Sequence, residues 1–411
     1  MASSPLVTAP RSVTRAEVLR VLFKHTSLPR YKIAEYLQLT GASISRIVTE
    51  CLEAGLILEL PFTPPENDSN HPFKVGRRPV PLTLNPDYYA VAGVHIGMFW
   101  LDVGLFNLQG TLISHHRERR AGIVPAELLD TITARISSMV SETNRELLTI
   151  GISLNGQVNS TGNLFSARNV LGWPSVSTQP VATSLNRRVI AETDTYAMAL
   201  AEFMRTDHKT NQPMLLVNVG TSIGMGIVVN RSIMRGKNGL AGFIEHLPYI
   251  ETPIHCTTCD KNTCLTNALS DRSLLHRCNN PKQYVTIQEL LEASRTDKKL
   301  RAIVDMRAQH LGRFLATLAL QYDPGRLVLA GSCLADEGHQ MKLVLRSYAE
   351  TLGPSRVSDY CPVETPQIYK GELLPLIGAG TVALNRVFSP DLDLHPPHLN
   401  CPYPQTAYVP V

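Results

Sequence analysis

Several classes of protein are excluded by what this 411-residue sequence has little of. Only 18% of its residues are charged and 44% are hydrophobic, which excludes an intrinsically disordered chain. Glycine and proline, at 26 and 28 residues, are too few for a collagen-like or low-complexity protein. No run of about 18 uncharged apolar residues is present to cross a membrane. Residues 1–11 lack the apolar core of a secretory signal, so we expect a cytoplasmic protein of about two to four domains.

Net charge is also low, +4, but it is unevenly distributed. Residues 1–85 contain ten Lys or Arg and seven Asp or Glu, a balance of +3. The other 326 residues contain 29 and 28, a balance of +1. An excess of positive charge in one fifth of the chain favours contact with nucleic acid there.

Three amphipathic helices are predicted at the start of the chain. The first covers 14–25, where Thr14 and Glu17 have the spacing of a capping box. Leu28-Pro29 breaks the pattern, and a second helix starts near residue 30. After the turn signal Thr40-Gly41, a third helix covers about 42–54. This order is the layout of a helix-turn-helix module.

Polar and basic side chains of this module indicate double-stranded DNA as its partner. Strands predicted at 56–60 and 80–84 enclose a polar, proline-rich loop, as in a winged helix. The candidate DNA-binding residues are Lys32, Ser43, Ser45, Arg46, Thr49, Arg77 and Arg78, the last two near a minor groove. A three-helix protein-interaction module that never contacts DNA is the alternative.

Strands and helices alternate in the rest of the chain. Strands are predicted at 90–97, 100–106, 111–113, 148–154, 189–194, 214–218 and 224–229. Helices are predicted at about 125–147, 196–204, 306–321 and 378–388. This alternation predicts an α/β architecture.

The motifs of this region resemble the ROK family of transcriptional repressors and sugar kinases, and in particular its Mlc/NagC-type repressors. The matching stretches are 151–158, 169–173, 194–202, 220–227, 236–246, 256–264 and 323–331. The resemblance implies an α/β fold in which an N-terminal winged helix-turn-helix precedes a two-lobed, actin-like domain of the ribonuclease H-like ATPase type. The implied units are a winged helix in 1–85, a small lobe in 86–194 completed by a helix at about 376–390, a large lobe with the zinc site in 195–375, and a proline-rich tail in 390–411.

The sequence departs from the kinases of this family at the turn that binds ATP phosphates. The resemblance implies an acidic residue, two glycines and a threonine, whereas this chain has His95, Gly97, Met98 and Phe99. We expect Met98 and Phe99 to fill the space of a phosphate. Asp194 matches the catalytic base of the kinases, but a carboxylate can also bind a sugar hydroxyl without chemistry. We therefore expect no enzyme activity, with a ROK sugar kinase as the alternative.

The resemblance implies an effector, a sugar or sugar phosphate, bound between the lobes by Asn169, Asp194 and His246. Phe243 and Thr266 occupy positions where the family has glutamates, so two acceptors are missing. Glu245 is close in sequence, but in a strand it would face the opposite side. Three alternatives follow: a less hydroxylated or modified sugar stacked on Phe243, a phosphorylated sugar, or control by a protein partner without a small ligand. Without the resemblance, Asn169 and Asp194 fit ordinary turn and helix-cap roles.

Three of the eight cysteines fall within nine residues. In a cytoplasmic chain such a cluster indicates a metal site rather than disulfides. His246 matches the zinc histidine of the family, so the expected ligands of a structural Zn²⁺ are His246, Cys256, Cys259 and Cys264. The family has one residue between its first two cysteines and a glycine-rich loop before the third, whereas this chain has two residues and no glycine. Three buried free thiols are the alternative.

The leading prediction is a sugar-responsive, zinc-containing transcriptional repressor of carbohydrate-related genes. One winged helix offers few base contacts, so specific binding normally requires two half-sites. The resemblance accordingly implies a homodimer or homotetramer. Effector binding is expected to rotate the lobes and change the spacing of the paired winged helices.

Overall fold

The computed structural model describes residues 10–61, 79–120, 124–206, 212–256, 258–278, 283–369 and 371–392, without the side chains of residues 169 and 170. Arg77 and Arg78 lie outside the described residues, as does most of the predicted proline-rich tail. Within the described ranges, no helix combines the length and the apolar character needed to cross a bilayer.

The N-terminal module has three helices and a three-stranded antiparallel sheet. Its elements are α1 Arg11–His25, β1 Ser27–Pro29, α2 Arg30–Leu37, α3 Gly41–Glu53, β2 Ile57–Glu59 and β3 Pro81–Leu84. Strand β3 lies between β1 and β2, which gives the module the sheet of a winged helix. The predicted capping box is wrong, because α1 begins at Arg11 and Thr14 is buried within it.

The first lobe of the following domain is built on a five-stranded sheet in the order β11-β7-β4-β5-β6. A small sheet in the order β10-β9-β8 lies in the same lobe. The elements are β4 Tyr89–Ile96, β5 Trp100–Asn107, β6 Leu112–Arg119, α4 Pro125–Thr143, β7 Glu146–Leu154, β8 Gln157–Val158, β9 Leu164–Ala167, α5 Arg168–Leu171, β10 Trp173–Ser177, α6 Gln179–Leu185 and β11 Arg188–Thr193.

A second five-stranded sheet, in the order β14-β13-β12-β15-β16, forms the other lobe. Helix α7, Asp194–Arg205, leads into it. The remaining elements are β12 Met214–Val219, β13 Ile223–Val229, β14 Ser232–Ile233, α8 Leu265–Leu269, α9 Asp271–Arg277, α10 Ile287–Ala293, α11 Lys298–Tyr322, β15 Arg326–Gly331, α12 His339–Leu352, β16 Val363–Glu364 and α13 Leu374–Val387. The α/β architecture predicted from the sequence is thus confirmed.

Some predicted helix ends are wrong by several residues. Helix α4 ends at Thr143 rather than near 147, because Asn144 is left-handed (φ 51°) and β7 begins two residues later. Helix α11 begins at Lys298 rather than near 306, because the Asp297 side chain accepts hydrogen bonds from the amides of its first turn. Apolar periodicity finds a helix more reliably than it finds the residue that caps it.

Helices α7 and α13 join the two lobes. Helix α13 packs on β4 and β7 of the first sheet, and α7 packs on β13 of the second as well as on α13. Glycines permit this close approach: a Cβ on Gly226 would lie 2.4 Å from the carbonyl oxygen of Thr195, and one on Gly151 would lie 2.1 Å from that of Ala379. Larger side chains at these positions would push the helices away from the sheets.

The winged helix packs directly against the two-lobed domain. The ring centroids of Phe23 in α1 and Phe388, just after α13, lie 5.2 Å apart. Both rings belong to a core shared by the two parts of the chain. The guanidinium of Arg205, at the end of α7, lies over the Phe23 ring at 3.9 Å. Glu17 of α1 pairs with Arg231 at 3.1 Å. These contacts make the module part of one packed body.

Candidate ligand site and metal centre

The main cleft lies between the lobes, where β4, β7 and β11 end opposite the β12–β13 turn. Its walls also include Gly242, Phe243, Glu245, His246 and the beginnings of α7 and α13. A second cavity opens beside it, and both are lined by Asn155, Gly156, Phe243, Glu245 and His246. The site therefore consists of two adjoining compartments that share part of their lining.

Asp194, a predicted effector ligand, lies in the wall of the main cleft. It is the first residue of α7, whose N-cap is Thr193, and its Oδ1 accepts a hydrogen bond from the Thr195 amide at 2.7 Å. Burial raises the pKa of Asp194 to about 6, although that hydrogen bond lowers it. Its carboxyl group can accept hydrogen bonds from a ligand hydroxyl when it is ionised.

A chain of polar side chains crosses the cleft from one lobe to the other. Asn155 Nδ2 donates to Ser222 Oγ at 2.6 Å, and Ser222 Oγ donates to Glu245 Oε1 at 3.0 Å. Burial raises the pKa of Glu245 to about 6, and the neighbouring Asp194 adds to this increase. The expectation that Glu245 faces away is wrong, because residues 241–247 form turns rather than a strand. Sequence reasoning missed Asn155, although its position directly after buried strand β7 was a signal.

Two buried polar atoms beside the cleft have no hydrogen-bond partner. They are His246 Nε2 and Thr266 Oγ1, and Thr266 is only 1% exposed. Both residues line the main cleft. Because a buried unpaired polar group is costly, a ligand that pairs with these atoms gains affinity. Asn169, another predicted effector residue, lies in α5, but its side chain is outside the described residues.

The turn after β4 corresponds to the expected phosphate-binding turn. His95 Nδ1 lies 3.1 Å from Ser153 Oγ, and burial lowers the pKa of His95 to about 4, so the imidazole is neutral near pH 7. A neutral imidazole is a poor substitute for the carboxylate that would hold magnesium. Met98 lines the cleft as predicted, but the expectation for Phe99 is wrong, because its side chain is 56% exposed to solvent.

The predicted metal ligands come together. The ligand atoms of His246, Cys256, Cys259 and Cys264 all lie within 4.8 Å of one another. His246 Nδ1 lies 3.6 Å from Cys256 Sγ, which leaves Nε2 for the cleft. Three thiols and one imidazole at this spacing match a closed tetrahedral site. The cluster can therefore hold a metal ion.

The loop of the cluster closes without glycine. Asp260 adopts the left-handed conformation (φ 54°), and its amide donates to the Cys256 carbonyl at 2.9 Å. Asp tolerates this conformation better than most residues other than glycine. Asp260 therefore makes a tight turn between Cys256 and Cys264 without a glycine.

The outer face of α3 carries the predicted DNA contacts. Ser43, Ser45, Arg46 and Thr49 are exposed, and in the described part of the chain Arg46 has no carboxylate partner. The Thr40 side chain caps α3 by accepting from the Ser43 amide at 3.2 Å. Lys32 is less available, because its Nζ pairs with Glu35 at 2.9 Å.

The structure thus combines an N-terminal winged helix with a two-lobed α/β domain that contains a polar cleft. The sequence profile of the ROK family matches residues 91–384. The chain belongs to the ROK family, as the motifs predicted.

Two relatives illustrate what the chain is similar to. The xylose repressor of Bacillus spizizenii is 22% identical over 339 residues, which cover 81% of this chain and 85% of the relative. The DNA-binding transcriptional dual regulator NagC of Escherichia coli is 24% identical over 341 residues, covering 78% and 80%.

Solved structures of two kinds share the fold. A ROK family transcriptional regulator, a homologue of the Escherichia coli Mlc protein, matches with a TM-score of 0.71, 19% identity, and coverage of 91% of this chain and 96% of that one. A ROK hexokinase from Thermus thermophilus matches with a TM-score of 0.58, 24% identity, and coverage of 72% and 99%. The regulator aligns with more of this chain than the hexokinase does.

The raised pKa of Asp194 predicts a change of stability with pH. Between about pH 4 and 6 the folded chain holds a proton that the unfolded chain has released, so the contribution of Asp194 to stability falls as pH rises through this interval. Asp194→Asn removes this contribution. From pH 5 to pH 8, the free energy of unfolding of the wild type should decrease by about 1 kcal/mol more than that of Asp194→Asn.

Urea unfolding at both pH values measures this difference. Asp130→Asn, an exposed aspartate of α4, is the control. If the free energy of unfolding of Asp194→Asn depended on pH as that of the wild type does, the raised pKa of Asp194 would be contradicted.

Proposed function

We propose that this protein is a transcriptional repressor whose affinity for operator DNA is controlled by a sugar bound between the two lobes. The repressor and the DNA-binding regulator among its relatives support this function. The observation that carries the proposal is the exposed polar face of α3 on a module packed against α7. Helix α7 begins with Asp194 in the cleft.

DNA recognition would use the N-terminal half of α3. Its serine hydroxyls and Arg46 are short or flexible enough to reach base edges and phosphates when the helix enters a major groove. Arg77 and Arg78 are proposed to contact the minor groove beside it. Two half-sites would bind two copies of the chain, as a homodimer or homotetramer in the cytoplasm.

The sugar would be held by carboxylates, amides and hydroxyls of the cleft. Asp194, Glu245, Asn155 and Ser222 offer both donors and acceptors, which suits the alternating polarity of sugar hydroxyl groups. Asn169 and His246 are also proposed to contact the sugar. A sugar that draws these groups together favours one arrangement of the lobes, and only this difference in affinity can shift the equilibrium.

A path of contacts leads from the cleft to the DNA-binding module. Arg205, at the far end of α7, donates to the Gln109 carbonyl and stacks on Phe23. Gln109 Nε2 donates in turn to Thr83 Oγ1 at 3.1 Å and to the Leu84 carbonyl at 3.0 Å, both on β3 of the winged helix. Displacement of α7 would therefore move α1 and β3 together.

We propose Zn²⁺ as the ion of the Cys₃His cluster. All four positions of a tetrahedral zinc would be filled by protein, so its role is structural. His246 would bind the ion through Nδ1, and the three cysteines would bind it from the 256–264 segment, so the site would supply structural cross-linking. The chain's own contribution is to present Nε2 of His246 to the cleft.

We do not propose phosphoryl transfer. Asp194 is positioned like a base, but the turn after β4 supplies a neutral His95 in place of the acidic group that organises the metal and nucleotide.

Arg46 is predicted to carry much of the affinity for DNA. Arg46→Ala should weaken operator binding by about 10- to 100-fold, the range expected for the loss of one arginine contact to a base edge. The operator is first selected from random duplexes with the purified chain, and binding is then measured by fluorescence anisotropy at fixed salt. Arg346→Ala, a surface arginine of α12 that is 75% exposed, should leave the affinity unchanged. Equal binding by both variants would refute the proposed interface.

Zinc content is expected to follow the cluster cysteines. The chain purified without chelators should contain about one zinc ion, and Cys256→Ser should lose most of it. Cys278→Ser, a half-buried cysteine outside the cluster, is the matched control and should keep the metal. Inductively coupled plasma mass spectrometry gives the ratio. A metal-free wild type would show that the cluster is three free thiols, and zinc retained in Cys256→Ser would contradict Cys256 as a ligand.

A further inference from the structure

The two adjoining compartments provide more room and more chemistry than one sugar ring requires. The main cleft already contains Asp194, Asn155 and Ser222 for the hydroxyls of a first ring. The second cavity adjoins the main cleft, and Phe243, Glu245 and His246 line both. A ligand confined to the first compartment would leave the second to solvent.

The second compartment has the character of a carbohydrate subsite. Phe243 and Pro174 offer apolar surface, whereas Gln157, Ser166 and Arg168 line the same cavity with polar groups. A sugar ring has the matching pattern, with apolar C–H faces and a rim of hydroxyl groups. Aromatic side chains stack on such faces, and amide, hydroxyl and guanidinium groups bind the rim.

Two polar atoms in the lining of the main cleft also lack hydrogen-bond partners. Thr266 Oγ1 is buried without one, and His246 Nε2 has none although Glu245 Oε2 lies 3.8 Å away. These atoms can bind a neutral oxygen such as a hydroxyl or a glycosidic oxygen. Phe243 carries no charge, so this side of the cleft suits a substituted ring better than one with a free, fully hydrated edge.

We propose that the effector is a two-ring glycoside, a disaccharide, whose first ring occupies the main cleft and whose second ring stacks on Phe243 in the adjoining cavity. This inference rests on the proposed function and names the ligand class of the same site. Phe243 and Arg168 are then specificity-determining residues for the second ring. A free monosaccharide leaves both without a ligand group. A sugar phosphate brings its negative charge close to Asp194 and Glu245.

The test compares matched ligands on the full-length, metal-loaded chain. The probes are cellobiose, xylobiose, maltose and N,N′-diacetylchitobiose, the monosaccharides from which they are built, and the 6-phosphates of glucose and N-acetylglucosamine. Isothermal titration calorimetry should give at least one disaccharide an affinity about tenfold or more above that of its monosaccharide. A monosaccharide or sugar phosphate that binds more tightly than every disaccharide, or the absence of binding across the panel, overturns the proposal.

Variants locate the second ring. Arg168→Ala should weaken binding of that disaccharide by about fivefold to tenfold while leaving the affinity for the monosaccharide within about twofold, since Arg168 lines the second cavity and not the main cleft. Phe243→Ala should also weaken binding of the disaccharide, because stacking of the second ring is lost. Phe99→Ala, an exposed phenylalanine outside both cavities, is the matched control. A disaccharide affinity unaffected by Phe243→Ala overturns the assignment.

Operator binding separates this inference from the proposed function. The wild type without sugar should bind the selected operator, and circular dichroism checks separately that Phe243→Ala is folded. Loss of specific DNA binding by the wild type would refute the repressor function while leaving the sugar affinities interpretable. Normal DNA binding with a preference for monosaccharides would refute only the two-ring ligand.

Discussion

Helix α7 can approach both lobes closely only because glycines lie at its tightest contacts. A Cβ on Gly226 would meet the carbonyl of Thr195, and one on Gly378 would lie 2.8 Å from the carbonyl carbon of Ala197. The helix is about 18 Å long, with Asp194 in the cleft at one end and Arg205 over Phe23 at the other. Packed interiors favour a few discrete arrangements over continuous deformation. We therefore expect a shift of α7 at Asp194 to displace Arg205 at its other end.

The polar groups of the cleft fall into two sets, those that are hydrogen-bonded to one another and those that have no hydrogen-bond partner. Asn155, Ser222 and Glu245 form hydrogen bonds with one another across the lobes, whereas Thr266 Oγ1 and His246 Nε2 have no hydrogen-bond partner among the described residues. A sugar can exchange the first set of hydrogen bonds for its own and add partners for the second. Replacing existing hydrogen bonds adds little to the affinity of such a ligand, whereas pairing with the two unpartnered atoms adds more. The ligand therefore stabilises the arrangement of the lobes in which these two atoms face the cleft.

The motifs and apolar periodicity predicted the fold, and the cysteine spacing together with the family's histidine motif predicted the four residues of the metal cluster. The sequence could not place Glu245, because alternation along a strand was assumed where the chain forms turns. Phe99 was misplaced for a similar reason, since a tight turn directs neighbouring side chains to different sides. The partnership of Asn155 with Ser222 depends on two segments 67 residues apart, and no local pattern encodes such a contact.

The central claim is that α7 transmits occupancy of the cleft to the winged helix, and the affinity for operator DNA with and without sugar tests it most directly in Arg205→Ala. Sugar affinity and sugar-free DNA affinity should stay close to those of the wild type, because Arg205 lies outside both cavities and off the exposed face of α3. The factor by which sugar changes DNA affinity should fall toward one, as the coupling between the sites is weakened. A factor equal to that of the wild type would show that the signal bypasses this end of α7.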